Sequence, residues 1–227
     1  TGRHHITSMA SNADANNVFF TKTLGLRRVK KTVNFDAPEV YHLYYGDEIG
    51  TPGSIMTYFP FAKISPGQRG AGEVSITEFA VPKDALGFWK ERLSALGVSS
   101  LMESSFLGEK RLSFDGPDGD GFALVESDVR DRTPWAEADV PEDASILGFH
   151  GARFSLQNAA ATGELLKFMG YQKDETLGNI TRYRIEGGNA ADTIDLEELP
   201  SAGTSSQGAG SVHHIAFAVE DRAAQVE

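Results

Sequence analysis

The chain has 227 residues, room for one or two domains. Twenty-one Lys and Arg against thirty-two Asp and Glu give a net charge of −11, which argues against a nucleic-acid groove and against an anionic membrane surface. There is no cysteine, which excludes a disulfide framework and a thiolate metal site; any metal must be held by His and carboxylate. No apolar run is long enough to span a bilayer and no signal-peptide pattern opens the chain, so a cytoplasmic protein is expected.

The first module spans 3–61. A strand over His5–Met9 is followed by the N-cap residues Ser11, Asn12 and Asp14. Val18, Phe19 and Phe20 give a short helix closed by Gly25. Strands follow at Arg27–Phe35, Val40–Tyr45 and Ser54–Phe59. The second module spans 72–128. Its strand is Val74–Val81, and Asp84 is placed to cap a helix carrying Leu86, Trp89, Leu93 and Leu96. Strands fit Val98–Ser104, Lys110–Phe114 and Phe122–Glu126.

Residues 129–145, rich in charge and proline, read as a linker. The third module spans 146–199, with a strand at Gly151–Leu156, a helix holding Leu165, Leu166, Phe168 and Met169, and strands near Ile180–Ile185 and Thr193–Leu199. Ser201–Gly210 reads as a flexible Gly/Ser connection. The fourth module, 211–227, stops at Glu227 where its helix should start. The unit is thus a repeated βαβββ, and two units pair into a cupped mixed sheet with helices outside: an α+β fold with an incomplete fourth repeat.

The pairs His4-His5 and His213-His214 each open a strand of this repeat. Alternation puts His5, Thr7 and Met9 on one face with Ile6 behind, and His214, Ala216 and Ala218 on one face with Ile215, Phe217 and Val219 behind. His5 and His214 then face a cleft from equivalent positions, where two imidazoles can share one ion; Fe(II), Mn(II), Zn(II) and Ni(II) suit such donors. His42, His150 and the tyrosines Tyr41, Tyr44 and Tyr45 read as packing residues.

The repeated βαβββ unit with a His on its first strand resembles the vicinal oxygen chelate superfamily of glyoxalases, bleomycin-resistance proteins and extradiol dioxygenases. Phe20-Thr21-Lys22-Thr23-Leu24-Gly25-Leu26, Tyr41-His42-Leu43-Tyr44-Tyr45-Gly46-Asp47, Phe59-Pro60-Phe61 and Gly210-Ser211-Val212-His213-His214-Ile215 are similar to its ring-cleaving hydroquinone-dioxygenase branch. The resemblance implies His5 and His214 as Fe(II) ligands, with Mn(II) a possible substitute, and His4, His213 and Thr7 as catalytic neighbours. It implies a third ligand, a Glu, beyond Glu227. Glu197 and Glu126 are weaker alternatives, the first in a module without a ligand His and the second one residue out of register. Ile76, Val125 and Gly151 stand at the ligand positions of the second and third modules, which should hold no metal.

Two His and a carboxylate leave three positions open on iron for a hydroquinone or catechol oxygen and dioxygen. The implied partners are a small aromatic substrate and dioxygen, with no nucleic acid or membrane; a homo-oligomer is compatible. The alternatives are a metal-dependent glyoxalase-type isomerase or lyase and a metal-free small-molecule-binding resistance protein. Oxygen uptake separates the first reading from the second, and bound metal separates both from the third.

Overall fold

The computed structural model describes residues 2–129, 132–135 and 139–219. β1 (Arg3–Ala10) leads into α1 (Ala13–Val18), where the Asn12 side chain accepts the Ala15 N–H at 2.9 Å. A π-helical turn, Phe19–Thr23, continues α1 and rolls two aromatics inward. Phe20 stacks on Tyr45, with ring centroids 4.7 Å apart. Gly25, at φ +70°, turns the chain out of the helix. β2 (Arg27–Val33), β3 (Tyr41–Gly46) and β4 (Ile55–Pro60) follow.

β5 (Glu73–Val81), α2 (Leu86–Ala95), β6 (Met102–Phe106), β7 (Glu109–Asp115) and β8 (Gly121–Glu126) form the next stretch. β9 (Phe149–Leu156), α3 (Ala160–Phe168), β10 (Gln172–Leu177), β11 (Ile180–Arg184) and β12 (Thr193–Glu198) come after it, and β13 (Val212–Phe217) closes the described chain. Among the described residues there are two sheets. One has the order β13-β1-β4-β3-β2, the other β10-β11-β12-β9-β5-β8-β7-β6. The α+β class is the expected one. The core lies between these sheets and the helices, around Ile6, Phe20, Tyr45, Phe79, Trp89, Leu93 and Phe149. Trp89 Nε1 donates to the Ala144 carbonyl at 2.7 Å, so the largest buried side chain is also satisfied.

Several local expectations are corrected. Asp84 does not cap α2: it takes φ +63°, Ala85 holds the cap position, and the Asp84 N–H goes to Glu126 Oε1 at 3.1 Å. Val98–Leu101 is not strand, because the Val98 N–H closes α2 on the Leu93 carbonyl and Ser100 takes φ +60°. β10 escaped the sequence reading because QKDETL is exposed along its whole length and has no apolar alternation. The described part of 129–145 is packed, with Val140 and Ala144 buried and Arg92 donating to the Asp139 carbonyl at 2.7 Å. Ser201–Gly210 is not a free connection either; it bridges the segment before β5 through Pro66–Ala209, Gln68–Ser206 and Ala71–Thr204. The expected start of the fourth module's helix, from residue 220 on, lies outside the described residues.

The two sheets repeat one pairing. β1 and β13 run antiparallel with His5 opposite Ala216 and Thr7 opposite His214. β5 and β9 run antiparallel with Glu78 opposite Gly151 and Ile76 opposite Arg153. Gly151 thus stands where His5 stands, and a Cβ there would run into Glu78 Oε2. The second sheet fills this place with ion pairs. Arg182 donates to Asp195 Oδ1 and Oδ2 at 2.8 and 3.0 Å and to Glu109 Oε2 at 2.8 Å. Arg111 pairs with Glu78 and, at 2.8 Å, with Glu109. Arg111, Arg153 and Arg182 all lie over the Phe106 ring, 5.0 to 5.3 Å from its centroid. Burial alone would raise the Glu78 carboxyl; Arg111, His150, Arg153 and Arg182 outweigh it and hold it below its ordinary value. Gly151→Ala is expected to destabilise by about 1–3 kcal/mol, because the new methyl displaces a buried carboxylate from its arginine. Chemical denaturation checks this; an unchanged midpoint would mean that Glu78 can move freely.

Candidate active site

Strand alternation builds the site. β1 lies between β13 and β4, and in the parallel β1–β4 pair His5 is opposite Ile55, Thr7 opposite Thr57 and Met9 opposite Phe59. Ile6, Met56, Tyr58, Leu43 and Tyr45 point the other way, into the core. The remaining face collects His5 and Thr7 from β1, His214 from β13, Thr57 and Phe59 from β4, and His42 and Tyr44 from β3.

His5 and His214 meet across 209 positions of sequence: their Nε2 atoms are 3.4 Å apart and their ring centroids 5.5 Å apart. His4 Nδ1 lies 2.9 Å from His5 Nδ1, and His213 Nδ1 lies 2.8 Å from His214 Nδ1. Each pair is therefore bonded through the ring nitrogens that do not face the cleft. Thr7 Oγ1 is 3.0 Å from His214 Nε2 and 2.7 Å from Thr57 Oγ1. Thr7 contacts His214 on the neighbouring strand rather than its own near neighbour His5.

Burial pushes His5 down to about 4, helped by His4 and His214, and lowers His214 as well, helped by His213. Both rings are then neutral at ordinary pH. If each donates its Nδ1–H to the paired histidine, both Nε2 lone pairs point at one spot. Two acceptors facing at 3.4 Å repel unless a cation lies between them. Nitrogens bonded to one ion at about 2.0–2.1 Å can be up to roughly 4 Å apart, so the pair fits a shared divalent metal. Among the described residues no group of three or more His, Asp or Glu is placed to hold an ion. Glu197 accepts from Ser155 Oγ at 3.0 Å and Glu126 from the Asp84 N–H, so both are engaged elsewhere. The expected third Glu lies outside the described residues.

His42, a packing residue on the sequence pattern, stands on the histidine face and is hydrogen-bonded there. Its Nε2 is 2.9 Å from Thr57 Oγ1 and its Nδ1 is 2.8 Å from the Tyr44 hydroxyl. The signal was present in the period of two: Leu43 and Tyr45 are the apolar-face residues of β3, which leaves His42 and Tyr44 on the histidine face. Burial lowers His42 to about 4 as well. His150, by contrast, lies in the second sheet with Nε2 3.2 Å from Glu109 Oε1.

The paired βαβββ sheets with a histidine cleft define a protein of the vicinal oxygen chelate superfamily. No family model matches the sequence. The chain is 39% identical over 227 residues, its whole length, to the protein of Bacillus subtilis (strain 168) that carries the name ring-cleaving dioxygenase MhqO, and spans 72% of it. It is 38% identical over 229 residues to chlorohydroquinone/hydroquinone 1,2-dioxygenase of Sphingobium indicum, a match covering 97% of this chain and 71% of that protein. A crystal structure of a dioxygenase from Bacillus subtilis subsp. subtilis str. 168 superposes with a TM-score of 0.94 at 38% identity, over 99% of this chain and 72% of that one. Glyoxalase I from Zea mays superposes with a TM-score of 0.67 at 13% identity, over 94% and 73% of the two chains, which shows the shared fold alone. The chain belongs to the ring-cleaving dioxygenase family, and it is an oxidoreductase. No helix among the described residues is long and apolar enough to cross a membrane.

Proposed function

We propose that the protein opens a hydroquinone- or catechol-type ring with dioxygen, using one Fe(II) held by His5 and His214, with Mn(II) as the nearest substitute. The observation that carries this is the meeting of His5 and His214 Nε2 at 3.4 Å from opposite ends of the chain. Bound iron supplies a centre at which an electron-rich ring and dioxygen are held together and can exchange electrons. His4 and His213 keep the ligand rings in the tautomer that bares Nε2 toward the cleft. Thr7 offers a hydroxyl beside His214 Nε2. Phe59 stands edge-on to His213, with centroids 5.9 Å apart, and gives the cleft an apolar wall suited to an aromatic ring.

Oxygen-electrode traces of the iron-loaded protein with hydroquinones and catechols test this. One dioxygen per ring, with both atoms of labelled dioxygen in the product, is the expected result. No uptake across the panel, together with isomerisation of a glutathione hemithioacetal, moves the protein to glyoxalase chemistry. Failure to retain any metal moves it to the binding-protein reading. His4→Ala and His213→Ala should retain most of the iron and lose about 10–100-fold in turnover, because their work is to orient ligands. Elemental analysis beside the kinetics checks that division.

A further inference from the structure

We propose that His42 and Tyr44 are positioning residues which, through Thr57, fix the Thr7 hydroxyl as a hydrogen-bond donor to the ring oxygen of the bound aromatic substrate. This rests on the ring-cleaving reading of the His5–His214 site. A continuous chain of contacts carries it: Tyr44 Oη to His42 Nδ1 at 2.8 Å, His42 Nε2 to Thr57 Oγ1 at 2.9 Å, Thr57 Oγ1 to Thr7 Oγ1 at 2.7 Å, and Thr7 Oγ1 to His214 Nε2 at 3.0 Å.

Each contact taken alone could run either way. The end of the chain sets the direction of all of them. A His214 that gives its Nδ1–H to His213 has a bare Nε2, so Thr7 is the donor there. A hydroxyl has one hydrogen, so Thr7 must accept from Thr57, and Thr57 must accept from His42. His42 therefore carries its proton on Nε2, leaving Nδ1 to accept from the Tyr44 hydroxyl. The His42 ring is held for this between the rings of Tyr44 and Phe59, at centroid distances of 4.1 and 4.3 Å.

A metal ion takes the lone pair that Thr7 faces. Thr7 and Thr57 are both buried, so the freed hydrogen has to find its acceptor on the cleft side, where His214 Nε2 was its partner. The Thr57 hydrogen still points at Thr7, which keeps Thr7 a donor. A substrate oxygen sharing the ion with His214 lies next to that nitrogen and within reach of the freed hydrogen. The fitting acceptor is an ionised ring hydroxyl, because a bond to a charged oxygen is the stronger kind.

The direction of the chain is readable without metal. A long-range proton–nitrogen NMR spectrum of the metal-free protein should show His42 protonated on Nε2; protonation on Nδ1 overturns the proposal. The second arm uses 4-nitrocatechol, whose colour reports its ionisation, titrated without oxygen into the iron-loaded protein. His42→Leu and Thr57→Val should bind the ionised probe about tenfold or more weakly, with unchanged iron content and melting temperature. His42→Gln, which can still donate to Thr57, should restore most of the binding. Variants that match the wild type in binding and ionisation overturn the proposal, as do Leu and Val variants that both lose iron or fold, since their role is then to hold the sheet. Wild-type protein that takes up no iron sinks the metal-site reading itself, a result separable from a variant effect.

Discussion

His5→Ala and His214→Ala are each expected to leave the protein folded, without retained iron and without oxygen uptake. Either change removes one of the two nitrogens that meet at 3.4 Å, and among the described residues no group of three or more His, Asp or Glu is placed to hold the ion in its stead. Turnover should fall by at least about 10³-fold, roughly 4 kcal/mol at 1.36 kcal/mol per decade. The fold should survive because both rings are only part-buried and belong to no apolar cluster. Elemental iron, oxygen uptake and thermal melting of the two variants beside His4→Ala and His213→Ala decide the register. If His4→Ala lost its iron while His5→Ala kept it, the ligand assignment would be off by one residue on each strand.

Arg182→Met should produce the largest loss of stability of any single change near the second sheet's centre. The guanidinium is 1% exposed and satisfies both oxygens of Asp195, itself 0% exposed, and one of Glu109. Removing it leaves the buried Asp195 with only the longer contacts to Arg111 at 3.9 Å and Arg153 at 4.0 Å. Breaking a buried pair from one side costs about 3–5 kcal/mol. At about 2–4 °C per kcal/mol for a chain of this size, the melting temperature should drop by about 10 °C. The double variant Arg182→Met with Asp195→Leu should recover part of the loss, since an apolar replacement of both partners carries no stranded charge. A single variant within 2 °C of wild type, on the order of one kcal/mol or less, would show that water reaches the cluster.

The same cluster sets a pH dependence. Glu78 and Glu109 are both held below the ordinary carboxylate range; burial opposes this, and the surrounding arginines and His150 overcome it. Carboxylates depressed in the folded state contribute stability above their unfolded value near 4, and that contribution is lost as pH falls toward the folded values. Equilibrium unfolding followed below pH 4 should therefore steepen in wild type and flatten in Glu109→Gln.

The strands that the sequence made legible are those with one wet face and one dry face. β13 alternates so cleanly that its cleft side is legible, and the two histidine pairs stand out because they recur in register. β10 was hidden because an edge strand exposed on both faces carries no period to detect. Asp84 was misjudged because its chemistry suits a cap, while its backbone is taken into the left-handed region by the turn after Pro82. His42 was hidden by its aromatic neighbours: a histidine beside tyrosines is ordinary packing until the partner strand is known, and only the β3–β4 register brings it to Thr57. The Glu78–Gly151 exchange was half visible. The missing histidine could be seen, but not the carboxylate that grows into its place from the next strand.

β1 lies between β4 and β13, and β13 is made more than two hundred residues later. A ribosome adding about 5–20 residues per second needs on the order of 10–40 s to bridge that interval. During that time one edge of β1 is a bare row of backbone donors and acceptors, with His5 beside it and no second imidazole to face. On the proposed reading, the histidine pair is thus assembled only after some two hundred further residues have been made. His5 and His214 cannot face one ion until β13 docks on β1, and an ion shared by them would then fasten two strands far apart in sequence.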